Sequence, residues 1–505
     1  MPLVLAQCSA QKVGGDPEMI ESCLQALESF VLRCPKEIAP HEHDIADVSL
    51  NFLGYDPNYG DDDGTSNSDD DLEDEASDEE DYSDDDDVSW KVRRASAKVI
   101  SAIIVSRPDT LVDFVARFAP ALISRFQERE ENVRMDIFAT FNDLVTQESF
   151  CSPGHSAPTS VNICTRVCTR VPRVWLSQVK VQRTAETAAG DSVGQEARSC
   201  ASLLLHEVPR VVKATCRQMK VKSVRTRIAA FSCLRQLAST LPGCLVDHVS
   251  AFMPGAKNAL GDTGSNNLLL EVLSFLQVAL SSHPAAVFQP YMEALVPLVL
   301  ILVKHRYYKI SVEALRVCCE MVLVLRPHPP ADEFDFRPFV QPLFASVKAR
   351  LLAQDQDQEV KECAISCMGL VLCHFADADA AELSSCLPIL LDRMRNEITR
   401  TTTIKTFAAL ASATIDTGLM SPMPNAKATV LQTVVTELSA FLRKSNRPLR
   451  QASKDRARPC PRARSPHLPA SHTHAGLTWR AEHYHPGAWL ETCAERTWRL
   501  AGGAT

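Results

Sequence analysis

Any chemistry in this chain would start from its carboxylates. Between Asp56 and Asp87, eighteen of 32 residues are Asp or Glu and none is Lys or Arg. Hard cations take clustered carboxylates, so calcium is the first ligand to test. An EF-hand loop needs alternating ligands, a central Gly and a Glu at its last position; with Gly64 as the central Gly, Tyr59 falls at the first ligand, and the motif fails. General acid-base work needs two carboxyls held in different environments, which so dense a run does not provide. Non-specific condensation of cations on a solvated segment is the expectation that remains.

The other reactive residue types are as undirected. His472, His474, His483 and His485, with Cys460 and Cys493 nearby, have no spacing that fixes a tetrahedron, so they read as part of an unstructured tail and no metal is expected. Eighteen cysteines contain no CxxC pair, and Cys363/Cys367 and Cys318/Cys319 sit inside apolar helical patterns. Buried, reduced thiols acting as small hydrophobes in a reducing compartment follow. With no Walker A loop, GxGxxG, HExxH or GxSxG, neither a catalytic residue nor a cofactor is expected.

Two binding features are left. The densest basic patch, Lys220, Lys222, Arg225 and Arg227, has no interleaved aromatics; it suits a carboxylate cluster on a protein at least as well as nucleic acid, which is the lesser expectation. Ser77 and Ser83, each followed by acid, are candidate sites for an acid-directed kinase. Phosphate would add roughly -1.5 to -2 of charge per serine, to a segment so charged already that the change either matters to a partner or matters little.

The run dominates the electrostatics. Formal charge is -9 for the whole chain and -18 for Asp56 to Asp87, so everything else carries +9: a mildly basic body with an acidic tether. Such a block repels itself and buries little, and is expected to be a disordered loop. The whole chain is 45% hydrophobic and only 6% aromatic, which favours a core of Leu, Val, Ile and Ala. Met1 to Ala10 lacks the basic start of a signal peptide. The longest apolar stretch, Ala294 to Val303, is interrupted by Pro297 and falls short of the ~20 residues that span a bilayer, so no membrane partner is expected.

The elements that must position these residues are helices in a repeat. Ile20, Leu24, Leu27 and Val31 fall on one helical face, as do Val92, Val99, Ile100 and Ile103. First apolar positions of such helices are Ile20, Val92, Val133, Val224, Leu268, Ile310, Val360 and Ile398. With the acidic run taken out as an insertion, successive intervals lie between 38 and 50 residues, except for 91 between Val133 and Val224, where one repeat is expected to be degenerate or replaced. Pro120, Pro209, Pro254, Pro297, Pro342 and Pro388 keep the same phase, each inside the helix before an anchor, which predicts a bent first helix per unit. Several second helices open with an apolar-basic pair: Val92-Arg93, Val133-Arg134, Val224-Arg225 and Val360-Lys361.

The expectation is therefore an all-α HEAT/armadillo-type helical-repeat solenoid, a right-handed superhelix, in which each unit buries its face only against its neighbours. Its divisions are incomplete N-terminal repeats over 1–55, the acidic loop 56–87, repeats over 88–147, a divergent, degenerate or disordered segment 148–199, repeats over 200–450, and a disordered unrelated tail 451–505.

Long stretches carry a family resemblance: ESFVLRCPKEIAPH, YDPNYG, YSDDDDVSWKVRRASAK, ALISRFQEREENVR, QVALSSHPAAVFQPYMEALVP, DQDQEVKECAISCMG and RNEITRTTTIK. From about Ser22 to Arg450, apart from 148–199, the chain resembles the cullin-associated and neddylation-dissociated proteins. The resemblance implies a non-enzymatic scaffold in nucleus and cytoplasm that wraps unmodified cullin with its RING partner, lets substrate receptors exchange, and has TATA-binding protein as a further partner. It also implies a truncated or alternatively spliced form without the family's C-terminal half, and hence partial competence. A transport-receptor-type HEAT solenoid carrying basic cargo is the rival reading; a third is a product that does little because its end faces are unpaired.

Overall fold

Asp16 starts the second helix by accepting the Glu18 amide, Pro17 occupies the first turn, and Ile20, Leu24, Leu27 and Val31 then bury one side of it. Several later helices follow the same local logic. Ser223, Ser265, Asp357 and Asp379 each accept an amide from the first turn of the helix they open. Thr429 and Gln432 exchange hydrogen bonds with each other's backbone amides, closing a reciprocal capping box.

The structure is a computed structural model and describes residues 1–10, 15–56, 88–151, 200–327, 334–353, 357–422 and 428–443. Its helices are α1 (Pro2–Ala10), α2 (Pro17–Arg33), α3 (Glu42–Leu53), α4 (Ser89–Ser106), α5 (Leu111–Ser124), α6 (Glu131–Cys151), α7 (Cys200–Gln218), α8 (Val224–Thr240) and α9 (Val249–Gly261). They continue with α10 (Asn266–Ser282), α11 (Met292–Val303), α12 (Tyr308–Leu325), α13 (Arg337–Leu352), α14 (Gln358–Phe375), α15 (Ala380–Arg395), α16 (Arg400–Ala411) and α17 (Val430–Arg443). Among the described residues the recorded β-type pairing is the isolated bridge of Pro422 with Thr429.

These helices stack as a HEAT-type solenoid of two rows. The even-numbered helices from α2 to α16 pack each on the next, and the odd-numbered helices form the second row, in which α5 packs on α7, α7 on α9, and so on to α17. Each odd helix also packs on the even helix that follows it, so the repeating unit is a helical hairpin whose core continues into the next unit. All six phase-keeping prolines lie inside odd helices, α5, α7, α9, α11, α13 and α15.

The anchors Ile20, Val92, Val133, Leu268, Ile310 and Val360 are buried, and Val224 is half-buried. Ile398 is a correction. It is 58% exposed in the turn before α16, whose inner face is made by Thr403, Thr406, Phe407 and Leu410. The long interval between Val133 and Val224 is another: α6 packs directly on α8 and α5 on α7, so consecutive units meet there and no unit is missing between them. Residues 152–199 are chain length inserted between neighbours and lie outside the described residues, as do 57–87 and 451–505.

The acidic run is likewise inserted within one unit, since its flanking helices α3 and α4 pack on each other. Its entry is tied down: the Tyr55 carbonyl accepts from Arg93, and Asp56 pairs with Arg129 at 3.4 Å. The apolar stretch Ala285–Val303 has a mean hydropathy of 1.8 and suffices in length to cross a membrane, but it is split into a helical turn Ala285–Phe288, a tighter turn Gln289–Tyr291 and α11, and half of it is buried against other helices.

Candidate protein-binding surface

The described residues bring no three His, Cys, Asp or Glu side chains together as a metal site would. What they organise is charge along the stack. Arg94 of α4 meets Asp136 of α6 at 2.6 Å, Arg235 of α8 meets Glu271 of α10 at 2.7 Å, and Arg316 of α12 meets Glu359 of α14 at 2.8 Å. In the other row Arg117 of α5 pairs with Asp47 of α3, and Lys348 of α13 with Glu382 of α15 at 2.8 Å. Each of these pairs joins adjacent units. Being partly exposed, each is worth on the order of 0–1 kcal/mol; their effect is to fix which turn of one helix faces which turn of the next.

The apolar-basic pairs belong to the same scheme. Arg93 is 1% exposed; it donates to the Tyr55 carbonyl at 3.0 Å, to Ser89 Oγ at 2.7 Å and to Glu128 Oε1 at 3.1 Å, so α4 holds both its own unit and the turn between α5 and α6. Arg134 donates to the carbonyls of Glu128 and Arg129 and to Thr226 Oγ1 of α8, and burial pulls its pKa below the usual arginine value.

The expected basic patch lies in the turn between α7 and α8 and the first turn of α8. Its four cations do not act as one. Arg225 reaches back to Glu131 of α6 at 3.3 Å, and Arg227 reaches forward to Asp262 after α9 at 2.9 Å. The Gly264 amide and then Arg227 hold the Asp262 carboxyl below the usual range. Lys220 and Lys222 are exposed at the turn itself. Arg225 and Arg227 are thus structural, a role invisible in the sequence because the two carboxylates lie 94 and 35 residues away. Ser77 and Ser83 lie outside the described residues.

A second basic surface went unnoticed in the sequence. Arg210, Lys213 and Arg217 share an exposed face of α7 and line an open cleft of about 350 Å³ against Ile123, Ser124 and Gln127 at the end of α5. Their spacing of i, i+3 and i+7 is the available signal.

Eight of the cysteines among the described residues are buried in the packing. Burial raises the pKa of Cys233 and Cys318 far above a free thiol, raises Cys216 to about 11, and, with Cys23 adjacent, raises Cys8 to about 12.

Comparison with known proteins gives this stack its relatives. Residues 243–368 match a family described as "CAND1-like, TPR repeats". Anchor spacings of 42 and 50 residues in that region exceed the 34 of a TPR unit and lie nearer the roughly 40–47 of HEAT-type pairs. The chain is 45% identical over 456 residues to "Cullin-associated NEDD8-dissociated protein 1" of Arabidopsis thaliana, covering 90% of this chain and 34% of the relative. It is 38% identical over 461 residues to the protein of the same name from Drosophila melanogaster, and 39% identical over 457 residues to "Cullin-associated NEDD8-dissociated protein 2" of Mus musculus. In both cases the match covers 90% of this chain and 33% of the relative. The chain therefore spans about a third of the length of the curated relatives it matches.

Proposed function

We propose that this chain, homologous over 90% of its length to the cullin-associated NEDD8-dissociated proteins, is a cullin-binding repeat scaffold. The observation that carries the reading is the 45% identity sustained across 456 residues, 90% of this chain. Packing supports it. A stack whose units are joined at several places by Arg-carboxylate pairs keeps a long surface in register, and such a surface suits a large folded partner better than a small substrate.

In this reading the chain holds an unmodified cullin together with its RING subunit by surface complementarity, without covalent chemistry. It takes part in assembling cullin-RING ubiquitin ligases and in exchanging their substrate receptors. The chain spans about a third of its relatives' length, and within that span the reading assigns it contact with the cullin.

Pull-down of the chain with cullin-RING complexes, unmodified or carrying the ubiquitin-like modifier, tests this. Retention of the unmodified form and loss of the modified one is expected. Equal failure to retain either form overturns the reading.

A further inference from the structure

The cleft between α5 and α7 has a composition that the cullin reading does not use. Arg210, Lys213 and Arg217 stand along one exposed face of α7, and Ser124 and Gln127 supply a hydroxyl and a carboxamide from the opposite wall. None of the lining residues is acidic and none is aromatic. Arg210 pairs with Glu207 on its own helix at 2.8 Å, whereas Lys213 and Arg217 have no ion pair among the described residues. The helix dipole accounts for a cation at the carbonyl end, such as Arg217, because the field falls off within the last turn. It does not account for Arg210 and Lys213 further upstream.

From these observations we infer that the α5/α7 cleft is a docking site for an extended acidic peptide segment of a partner protein. Geometry favours an extended chain over a single anion. Arg210 to Arg217 spans about 10 Å at ~1.5 Å per residue of helix, the length of about three residues of extended peptide at ~3.3 Å each. Side chains on one face of such a segment would meet the cations in turn, and the Ser124 hydroxyl and Gln127 amide can bond its backbone. Single-stranded nucleic acid, the other extended polyanion, is held largely by stacking on aromatic rings, which this cleft lacks. The chain's own segment 152–199, which enters α7, carries six Lys or Arg against three Asp or Glu. Its sign matches the cleft, so it is not the complementary occupant.

The test is fluorescence polarisation of labelled decaglutamate with the full chain, with decaglutamine and an oligothymidylate as rivals. Decaglutamate should bind, and its affinity should fall roughly fivefold or more between low and physiological salt as the charges are screened. The double variant Lys213→Glu/Arg217→Glu should weaken binding by at least about tenfold, since two attractive contacts become repulsive. Lys213→Gln/Arg217→Gln should fall between it and the parent, and Lys257→Glu, an exposed change on α9 outside the cleft, should leave binding within about twofold. Circular dichroism and melting of each variant separate lost binding from lost folding. Tighter binding of the oligothymidylate, equal binding by the charge-reversed variant, or no binding of decaglutamate because the run Asp56 to Asp87 fills the cleft in cis would each overturn the proposal.

Discussion

The backbone amide of Leu245 donates to Nε2 of His283 at 3.0 Å, and Nδ1 of the same ring lies 2.9 Å from the Ala279 carbonyl. One neutral tautomer satisfies both contacts: Nε2 accepts while Nδ1 donates. His283 ends α10 and Leu245 lies in the turn between α8 and α9, so the imidazole ties one inter-unit turn to the next. The tie recurs with other residues. Arg107, after α4, donates to the Pro35 carbonyl after α2 at 3.2 Å, and Arg326, after α12, bonds both the His374 carbonyl and the Asp377 carboxylate after α14. Asp377 is held below the usual carboxylate range chiefly by that guanidinium.

Protonating His283 would set a second N–H against the Leu245 amide, and burial already pushes its pKa down from 6.5 to about 4. A base whose folded pKa is depressed gives stability that is complete above its unfolded pKa. That stability is lost as pH falls from about 6.5 and levels off near 4. The loss should be on the order of 3 kcal/mol. Urea melts at neutral and mildly acidic pH should show the parent weakening while His283→Gln, less stable at neutral pH, changes less over that window. Parallel pH profiles for the two proteins would sink the assignment.

What was legible in the sequence was whatever repeats locally. Period-3.6 apolar positions placed α2 and α4, and prolines in phase placed the odd row, because each follows from one helix burying one face. Ile398 misled because the first buried positions of α16 are threonines. Thr403 and Thr406 bond back to the carbonyls of Thr399 and Thr402, which lets them be buried as if apolar. The nine residues of α1 lack a polar face that would mark the helix. Adjacency of α6 and α8 was hidden because an interval in residues is not a distance. The structural half of the basic patch was hidden for a related reason: ion pairs between units have no sequence period.

Arg93 and Glu128 form a pair whose side chains are 1% and 2% exposed. Removing one partner strands a buried charge, so Glu128→Leu should cost on the order of 3–5 kcal/mol. The double replacement Arg93→Met/Glu128→Leu should cost less than the sum of the single changes, though not nothing, because the Tyr55 carbonyl also loses its donor. Urea midpoints of the four proteins close the cycle, and additive losses would mean that the two side chains are not coupled.

Thiol chemistry offers a map of the stack. Cys233 and Cys318 are fully buried and their pKa values are raised by desolvation, so neither should react with iodoacetamide in the native chain at mildly alkaline pH. Both should react in urea. Peptide mass spectrometry reads each site separately; native labelling of Cys233 would place α8 outside the even row.

Gly369 shows how closely the even helices approach. It sits within α14, where alanine would ordinarily favour the helix by about 1 kcal/mol. A Cβ there, however, would overlap the methyl group of Thr406 on α16. The clash is between two side chains, and the Thr406 rotamer is held by its hydroxyl's bond to the Thr402 carbonyl, so the methyl cannot simply turn away. Gly369→Ala should therefore destabilise, by about 1–3 kcal/mol, against the direction that helix propensity predicts. Adding Thr406→Ser removes the obstructing methyl while keeping the hydroxyl, and should recover most of the loss. Thermal melts decide it: a Gly369→Ala chain more stable than the parent would mean that α14 and α16 stand further apart than the packing described above.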